Sequence, residues 1–300
     1  MPNNNILNKD SEDHLEYDDA KKIILDFEKI PKNILISTMT ITCTLGTNID
    51  LENVAKYVDL DMNGIRSIRY GSKPECIRIL VEKKKKAKKG KKKNSFFNQA
   101  TLEIKPSDNK AINVKLFKNG SVQMTGCKSI KNAYEILTIL MNQLKIEKAV
   151  LVDGEITEKK YITSFESLKI SNFKVVMINS NFTVNYSIDR EALYNILTKE
   201  GTSCIYEPCI HACVNIKFNC DKDNKKISIF VFQSGAIIIT GANNTNHIIS
   251  AYEYINEKLK TNYKNIVKKK LDTLLKNNKT LNNYLKSNSL KFNTKLISGK

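Results

Sequence analysis

The sequence has no Trp, too few acids to balance its bases, and no apolar run near the roughly 20 residues that cross a bilayer as a helix. A helical anchor is therefore excluded, and a soluble chain without a membrane partner is expected. The seven cysteines are odd in number and irregularly spaced, so no disulfide framework is implied. Paired C-x-x-C spacing is missing too. Cys209, His211 and Cys213 alternate, as three residues on one side of a strand would, with Cys204 and Cys220 close in sequence, but free intracellular thiols account for them better than a metal does. The opening MPNNNILNKD lacks signal-peptide character, which points to a reducing intracellular compartment. No phosphate-cradling Gly loop, nucleophile elbow or clustered acidic pair occurs, so neither an enzyme nor a cofactor is expected.

What the chain does have is positive charge: 49 Lys and Arg against 31 Asp and Glu, a net +18. Such a surplus points to a polyanionic partner, nucleic acid first and an acidic membrane face second. The competing explanation is a lysine-rich proteome, since Asn and Lys are abundant throughout. The charge is densest from Lys83 to Lys93, interrupted by one Ala and one Gly. That run repels itself and packs against nothing, so a solvated loop is expected. It reads equally as a bare surface insertion and as a localisation signal or phosphate-contacting arm.

An internal repeat organises the rest. Ala111 to Ser129, AINVKLFKNGSVQMTGCKS, recurs 115 positions later as KISIFVFQSGAIIITGANN without a gap. Phe117 aligns with Phe232, Asn119 with Ser234, Gly120 with Gly235, Thr125 with Thr240 and Gly126 with Gly241. Each copy is an apolar run, a two-residue polar-plus-Gly turn and a second apolar run, the signature of a tight β-hairpin.

Taken in order, residues 1–30 form an acidic arm too poor in large apolar groups to offset the entropy of ordering, with AKKIILDFEKI able to form a short helix. NILISTMTITCTL is β-branched and predicts a strand; IDLENVAKYV has Leu51, Val54, Ala55 and Val58 at helical spacing. GIRSIRYG, ECIRILV and FFNQATLEIK predict further strands around a lysine-rich insertion at 82–95. After the first hairpin, Ile130, Ala133, Tyr134, Leu137, Leu140, Met141 and Leu144 predict a helix of four or five turns. The first repeat thus spans 31–145. Residues 146–172 have no counterpart in it and read as a linker with some local structure. The order recurs over 173–262: strand, a helix with Ser187 as N-cap, a strand region, the second hairpin, and a long helix from His247 running into 263–300, a helix extension and basic tail.

Two such halves with helices on one side leave the other sheet face open. Within the second hairpin Ile227, Ile229, Val231, Ile237 and Ile239 make the buried set, while Phe230, Phe232 and Ile238 fall on the opposite face. Exposed aromatics there point to a contact surface.

The paired LFKNGSVQMTGCKS and VFQSGAIIITGANN, with PKNILIST before them and YEP at Tyr206 to Pro208, resemble the TATA-box-binding protein family over residues 31 to 262. FFNQATLEI and MTGCKS look most like the divergent members carried by giant DNA viruses. The resemblance implies an α+β saddle: two pseudo-symmetric repeats sharing one curved, ten-stranded antiparallel sheet, helices on the convex side, and a concave underside that meets the DNA minor groove. It implies a transcription initiation factor, monomeric on double-stranded A·T-rich promoter DNA, partnered by general transcription factors and RNA polymerase, in the nucleus or a cytoplasmic viral factory.

Family members wedge four Phe side chains between base pairs, unstacking them so that bent DNA covers more protein. Phe97, Phe117 and Phe232 match three of these positions and His211 occupies the fourth; Phe96 could replace Phe97 after a one-residue slip. Of the family's paired central Asn residues, Asn33 matches the first; Met177 stands at the second, and Asn179, two residues on, shares its strand face. Thr125 and Thr240 match the hydrogen-bonding threonines, Leu35, Phe230 and Ile238 the apolar groove contacts, and Lys128 and Lys217 phosphate partners. Glu103 stands where the family has a phosphate-contacting Arg, and Gln99, Lys115, Gln123 and Asn215 make the underside more polar. Those departures keep a second reading open: a saddle-shaped protein-interaction module with only non-specific DNA binding.

Overall fold

The computed structural model describes residues 27–80, 97–108, 110–220 and 224–268. Nearly all of the acidic arm, the lysine-rich insertion with Phe96, and the tail from residue 269 lie outside the described residues. In chain order the elements are β1 (Leu35–Thr44), α1 (Leu51–Tyr57), β2 (Ile65–Tyr70), β3 (Ile77–Ile79), β4 (Gln99–Ile104), β5 (Ile112–Phe117), β6 (Ser121–Cys127) and α2 (Ile130–Leu144). They continue as β7 (Lys148–Val152), β8 (Glu155–Lys159), β9 (Ser171–Thr183), α3 (Arg190–Lys199), β10 (Cys204–Ile205), β11 (Cys213–Cys220), β12 (Lys225–Phe232), β13 (Ala236–Ala242), α4 (Thr245–Thr261) and α5 (Tyr263–Ile266). Eleven strands join one sheet in the order β10-β11-β12-β13-β9-β1-β6-β5-β4-β2-β3, and β7 pairs only with β8. The expected ten strands become eleven because a 3-10 turn at Pro74–Cys76 reverses the chain and pairs Ile77–Ile79 with β2. This is an α+β fold, as the sequence predicts.

Two compact units divide the chain. The larger runs to Phe182 and takes in Phe218–Ser228 and Ile238–Glu253; the smaller comprises Thr183–Lys217, Ile229–Ile237 and the chain from Tyr254. In the larger unit α1 begins at the Asp50 cap, whose Oδ1 accepts from the Asn53 amide, and α2 at Ser129, whose Oγ accepts from the Asn132 amide. Both helices bury their apolar stripes (Leu51, Val54 and Ala55; Ile130, Ala133, Ile136, Leu137, Leu140 and Leu144) with Met39, Ile41, Leu102, Val114, Leu116 and Met124 of the strands. Each of these Leu, Ile, Val and Met side chains is worth about 1.5–3 kcal/mol of burial, the alanines less.

The hairpin tips explain the repeat. In both copies the turn's first residue is the aromatic one: the Gly120 amide donates to the Phe117 carbonyl (3.0 Å) and the Gly235 amide to that of Phe232 (3.1 Å). The glycine is therefore the fourth residue of the turn, at φ +79° and +85°, rather than the second residue of a two-residue loop. Each tip is held by the chain leaving the preceding long strand. Leu45 and Ile49 donate to the carbonyls of Gly120 and Lys118, and in the smaller unit Val184 and Ile188 donate to those of Gly235 and Gln233.

Three expectations need correcting. Residues 146–172 are more than a linker: β7 and β8 form a hairpin, and Tyr161, Ile162 and Leu168 join the core of the larger unit. The cap of α3 is Asp189, whose Oδ1 accepts from Glu191 and Ala192 (both 3.1 Å), while the Ser187 carbonyl accepts from the Lys268 amide instead. The long helix predicted from His247 stops at Thr261, because the Asn262 side chain donates to the Lys258 carbonyl (3.0 Å) and the chain beyond turns back to bond with 187–189.

The cysteines separate by burial. Cys43, Cys76, Cys127, Cys213 and Cys220 are buried, Cys204 is half-buried and Cys209 is exposed. Burial pushes the Cys127 thiol up to about 12. In the folded protein at pH 8, a thiol reagent should label Cys209 first, and Cys209→Ser should abolish that fastest phase; rapid labelling of Cys127 would contradict the fold.

Candidate nucleic-acid interface

In the larger unit, strand register identifies one continuous sheet face opposite the core. Thr38 pairs with Asn179, Thr40 with Met177 on one side and Thr125 on the other, Asn113 with Thr125, Lys115 with Gln123 and Thr101, and Phe117 with Gln99. None of these side chains is buried, whereas their strand neighbours Met39, Ile41, Ala100, Leu102, Val114, Leu116, Val122 and Met124 are. Apart from Phe117 and Met177 these face residues are mainly polar.

Two strands keep this face only by breaking alternation. The β1–β9 register shifts between Ile36 and Thr38 and again between Thr40 and Ile41, opposite Val175 and Met177. On β9, Phe173 and Val175 pack against the core before the shift, and Ile178 and Phe182 are buried after it. The extra residue, Val176, lets Met177, Asn179 and Asn181 stay on the open side.

A polar chain results at the centre. Asn179 Nδ2 donates to Thr38 Oγ1 (3.1 Å), and Thr240 Oγ1 donates to Asn179 Oδ1. Asn181 Nδ2 donates to Ser37 Oγ in the same way. Asn33 does not join it: it lies in the turn before β1, with Nδ2 on the Tyr252 hydroxyl (2.7 Å). Thr38 stands opposite Asn179 instead, and Asn33 precedes the first residue of β1, Leu35.

The other candidates of this unit lie where their strands put them. Phe117 ends β5, partly exposed, and Phe97 stands just before β4, 69 % exposed. The Tyr70 hydroxyl holds the Phe97 carbonyl (3.1 Å), and a Cβ at Gly71 would lie 3.5 Å from the Phe97 ring. Leu35 is 63 % exposed, Thr125 exposed, and Ile238 and Thr240 half-buried, alternating with the buried Ile237 and Ile239. Lys128 is exposed between β6 and α2, its amide on Asn132 Oδ1. Glu103 is exposed on the same face, paired with Asn113.

In the smaller unit Phe230 and Phe232 are half-buried and alternate with Ile229 and Val231, which are inaccessible. Lys217 is exposed on β11. His211 is exposed in the loop before that strand: Glu207 to Ile210 make a turn in which the amides of both Ile210 and His211 donate to the Glu207 carbonyl. The turn breaks the alternation that would have aligned Cys209, His211 and Cys213, and Cys213 is buried while Cys209 is exposed. Among the described residues no group of three His, Cys, Asp or Glu side chains could hold a metal, and no helix is long and apolar enough to cross a membrane.

Each unit thus has a half-exposed phenyl ring at the start of its hairpin turn, and in the larger unit an Asn–Thr chain lies on the open sheet face. The family model described as "Transcription factor TFIID (or TATA-binding protein, TBP)" matches residues 172–262. The "TATA-box-binding protein-like" protein of Acanthamoeba polyphaga mimivirus is 41% identical over 286 residues, covering 88% of this chain and 75% of the relative. Among solved structures, Methanococcus jannaschii TBP aligns at a TM-score of 0.48 and 21% identity, over 76% of this chain and 99% of its own. The chain belongs to the TATA-box-binding protein family, whose members are non-enzymatic DNA-binding factors of transcription.

Proposed function

We propose that the chain is a transcription initiation factor that binds A·T-rich promoter DNA through the minor groove, as a monomer, and brings general transcription factors and RNA polymerase to it. The observation that carries the reading is the equivalence of Phe117 and Phe232: each starts its hairpin turn and points away from the buried Ile, Val and Leu set of its strand. A flat apolar ring in that position can enter a base step. Thr38, Asn179 and Thr240 supply the polar groups that meet the acceptors of A·T pairs, where a G·C pair would add its exocyclic amine. Phe97, Leu35, Phe230 and Ile238 widen the apolar contact, Lys128 and Lys217 meet phosphates, and His211 takes the fourth wedge position as a smaller ring that stacks less.

The exposed Glu103, with Gln99, Lys115 and Gln123 on the same face, favours the second reading, a protein-interaction module whose DNA binding is non-specific. Removing residues 81–96 separates the two. If the first reading holds, the shortened chain keeps its preference for A·T-rich over G·C-rich duplex; a binding assay showing equal affinity for both would leave the second.

A further inference from the structure

We infer that a basic pocket at the rim of the larger unit binds a phosphodiester group of DNA beyond the part that meets the open face; the inference rests on the DNA-binding reading above. Arg66 of β2, Lys105 and Lys110 of the β4–β5 connection and Lys128 after β6 converge there from three places in the chain, with Ser107 and, among the described lining residues, a single carboxylate, Asp108. Asp108 is already engaged, since its Oδ1 accepts from Asn132 Nδ2 (2.6 Å) in the first turn of α2.

The pocket is built rather than incidental. Glu135 of α2 accepts from both the amide (2.6 Å) and the hydroxyl (3.2 Å) of Ser107, tying the first part of the β4–β5 connection to the helix. The Lys105 amide donates to the Gly64 carbonyl (2.9 Å), and Arg66 Nε donates to the Met62 carbonyl (2.7 Å), which orients its guanidinium. Lys128 immediately precedes the Ser129 cap, so the positive end of a fifteen-residue helix adds to four cations. An anion with several acceptor oxygens is the ligand this arrangement fits, and a phosphate of the duplex is the one available to a DNA-binding chain.

The lysine beside the helix cap is not repeated. Asn243 stands where Lys128 does in the other copy, and its amide donates to His247 Nδ1. The second copy thus lacks the lysine that adjoins the helix cap in the first.

The test compares the chain with a Lys105→Gln, Lys110→Gln double variant, which keeps the side-chain stems, on two duplexes: a short A·T-rich element spanning the open face, and the same element with long flanks. On the flanked duplex the slope of log affinity against log salt should fall by about one for each lysine lost, with unchanged affinity for the short one. Equal slopes for variant and parent on the flanked duplex, or the same loss on both duplexes, would overturn the pocket. Failure of the parent chain to prefer the short A·T-rich element over a G·C-rich one would instead overturn the reading on which it rests. Matching thermal melts establish that the variant is folded.

Discussion

Replacing Phe117 and Phe232 together by Ala should abolish bending of an A·T-rich duplex while leaving the protein folded. The two rings end β5 and β12 and are half-exposed on the side away from the core, so removing them opens no cavity. Surface changes of this kind shift stability by about 0.5 kcal/mol or less. At the DNA they do different work, because an inserted ring must repay a few kcal/mol of unstacking for every step it opens. If each acts as an interface anchor worth about 2 kcal/mol, the double variant loses on the order of a thousandfold in affinity. Energy transfer between dyes at the ends of the duplex reads the bend, and a thermal melt reads the fold. Unchanged energy transfer would sink the wedge assignment. Loss of bending together with a collapsed melting temperature would mean that the rings are structural.

Substituting Ala for Gly120 or Gly235 should cost far more stability than the same change at Gly154. All three have positive φ (+79°, +85° and +87°) and therefore share a penalty of about 1–2 kcal/mol for an L side chain. They differ in space. A Cβ at Gly120 would lie 2.2 Å from the Thr47 carbonyl oxygen, and one at Gly235 would lie 2.5 and 2.6 Å from those of Val184 and Tyr186. At Gly154 nothing lies within 4 Å. The obstacles at the hairpin tips are backbone atoms, fixed by the Leu45–Gly120 and Val184–Gly235 hydrogen bonds, and cannot step aside without releasing the tip. A further 1–3 kcal/mol of overpacking follows, so a total of about 2–5 kcal/mol is expected at the tips. For a chain of this size that corresponds to a drop on the order of 10 °C in melting temperature, against a few degrees at Gly154. Equal losses at the three positions would show that conformation alone, and not the close approach, selects these glycines.

Where the sequence was legible, one signal sufficed. The gapless repeat from Ala111 exposes both hairpins and the equivalence of Phe117 with Phe232, and the stripe from Ile130 to Leu144 predicts α2 because all its burial lies on one side of one element. The misses have physical causes. Asn33 fits a motif of consecutive residues, yet β1 begins only at Leu35, so Asn33 stays in the preceding turn on the Tyr252 hydroxyl and Thr38 stands opposite Asn179. The helix break at Asn262 combines that side chain's bond to the Lys258 carbonyl with bonds joining Ile266 and Lys268 to Asp189 and Ser187, far back in the chain, which no local periodicity reports. Tyr161 and Leu168 sit in a segment without a repeat partner, so nothing in the pattern marks them as core.

The bulge at Val176 has a meaning for how the chain tolerates change in length. Because one surplus residue is absorbed at that point, the β-ladder beyond it keeps its facing without any shift in the residues beneath the helices. Comparison with kindred sequences should therefore admit a single-position gap in either central strand, and substitutions counted column by column across it will exchange inward for outward positions unless that step is respected.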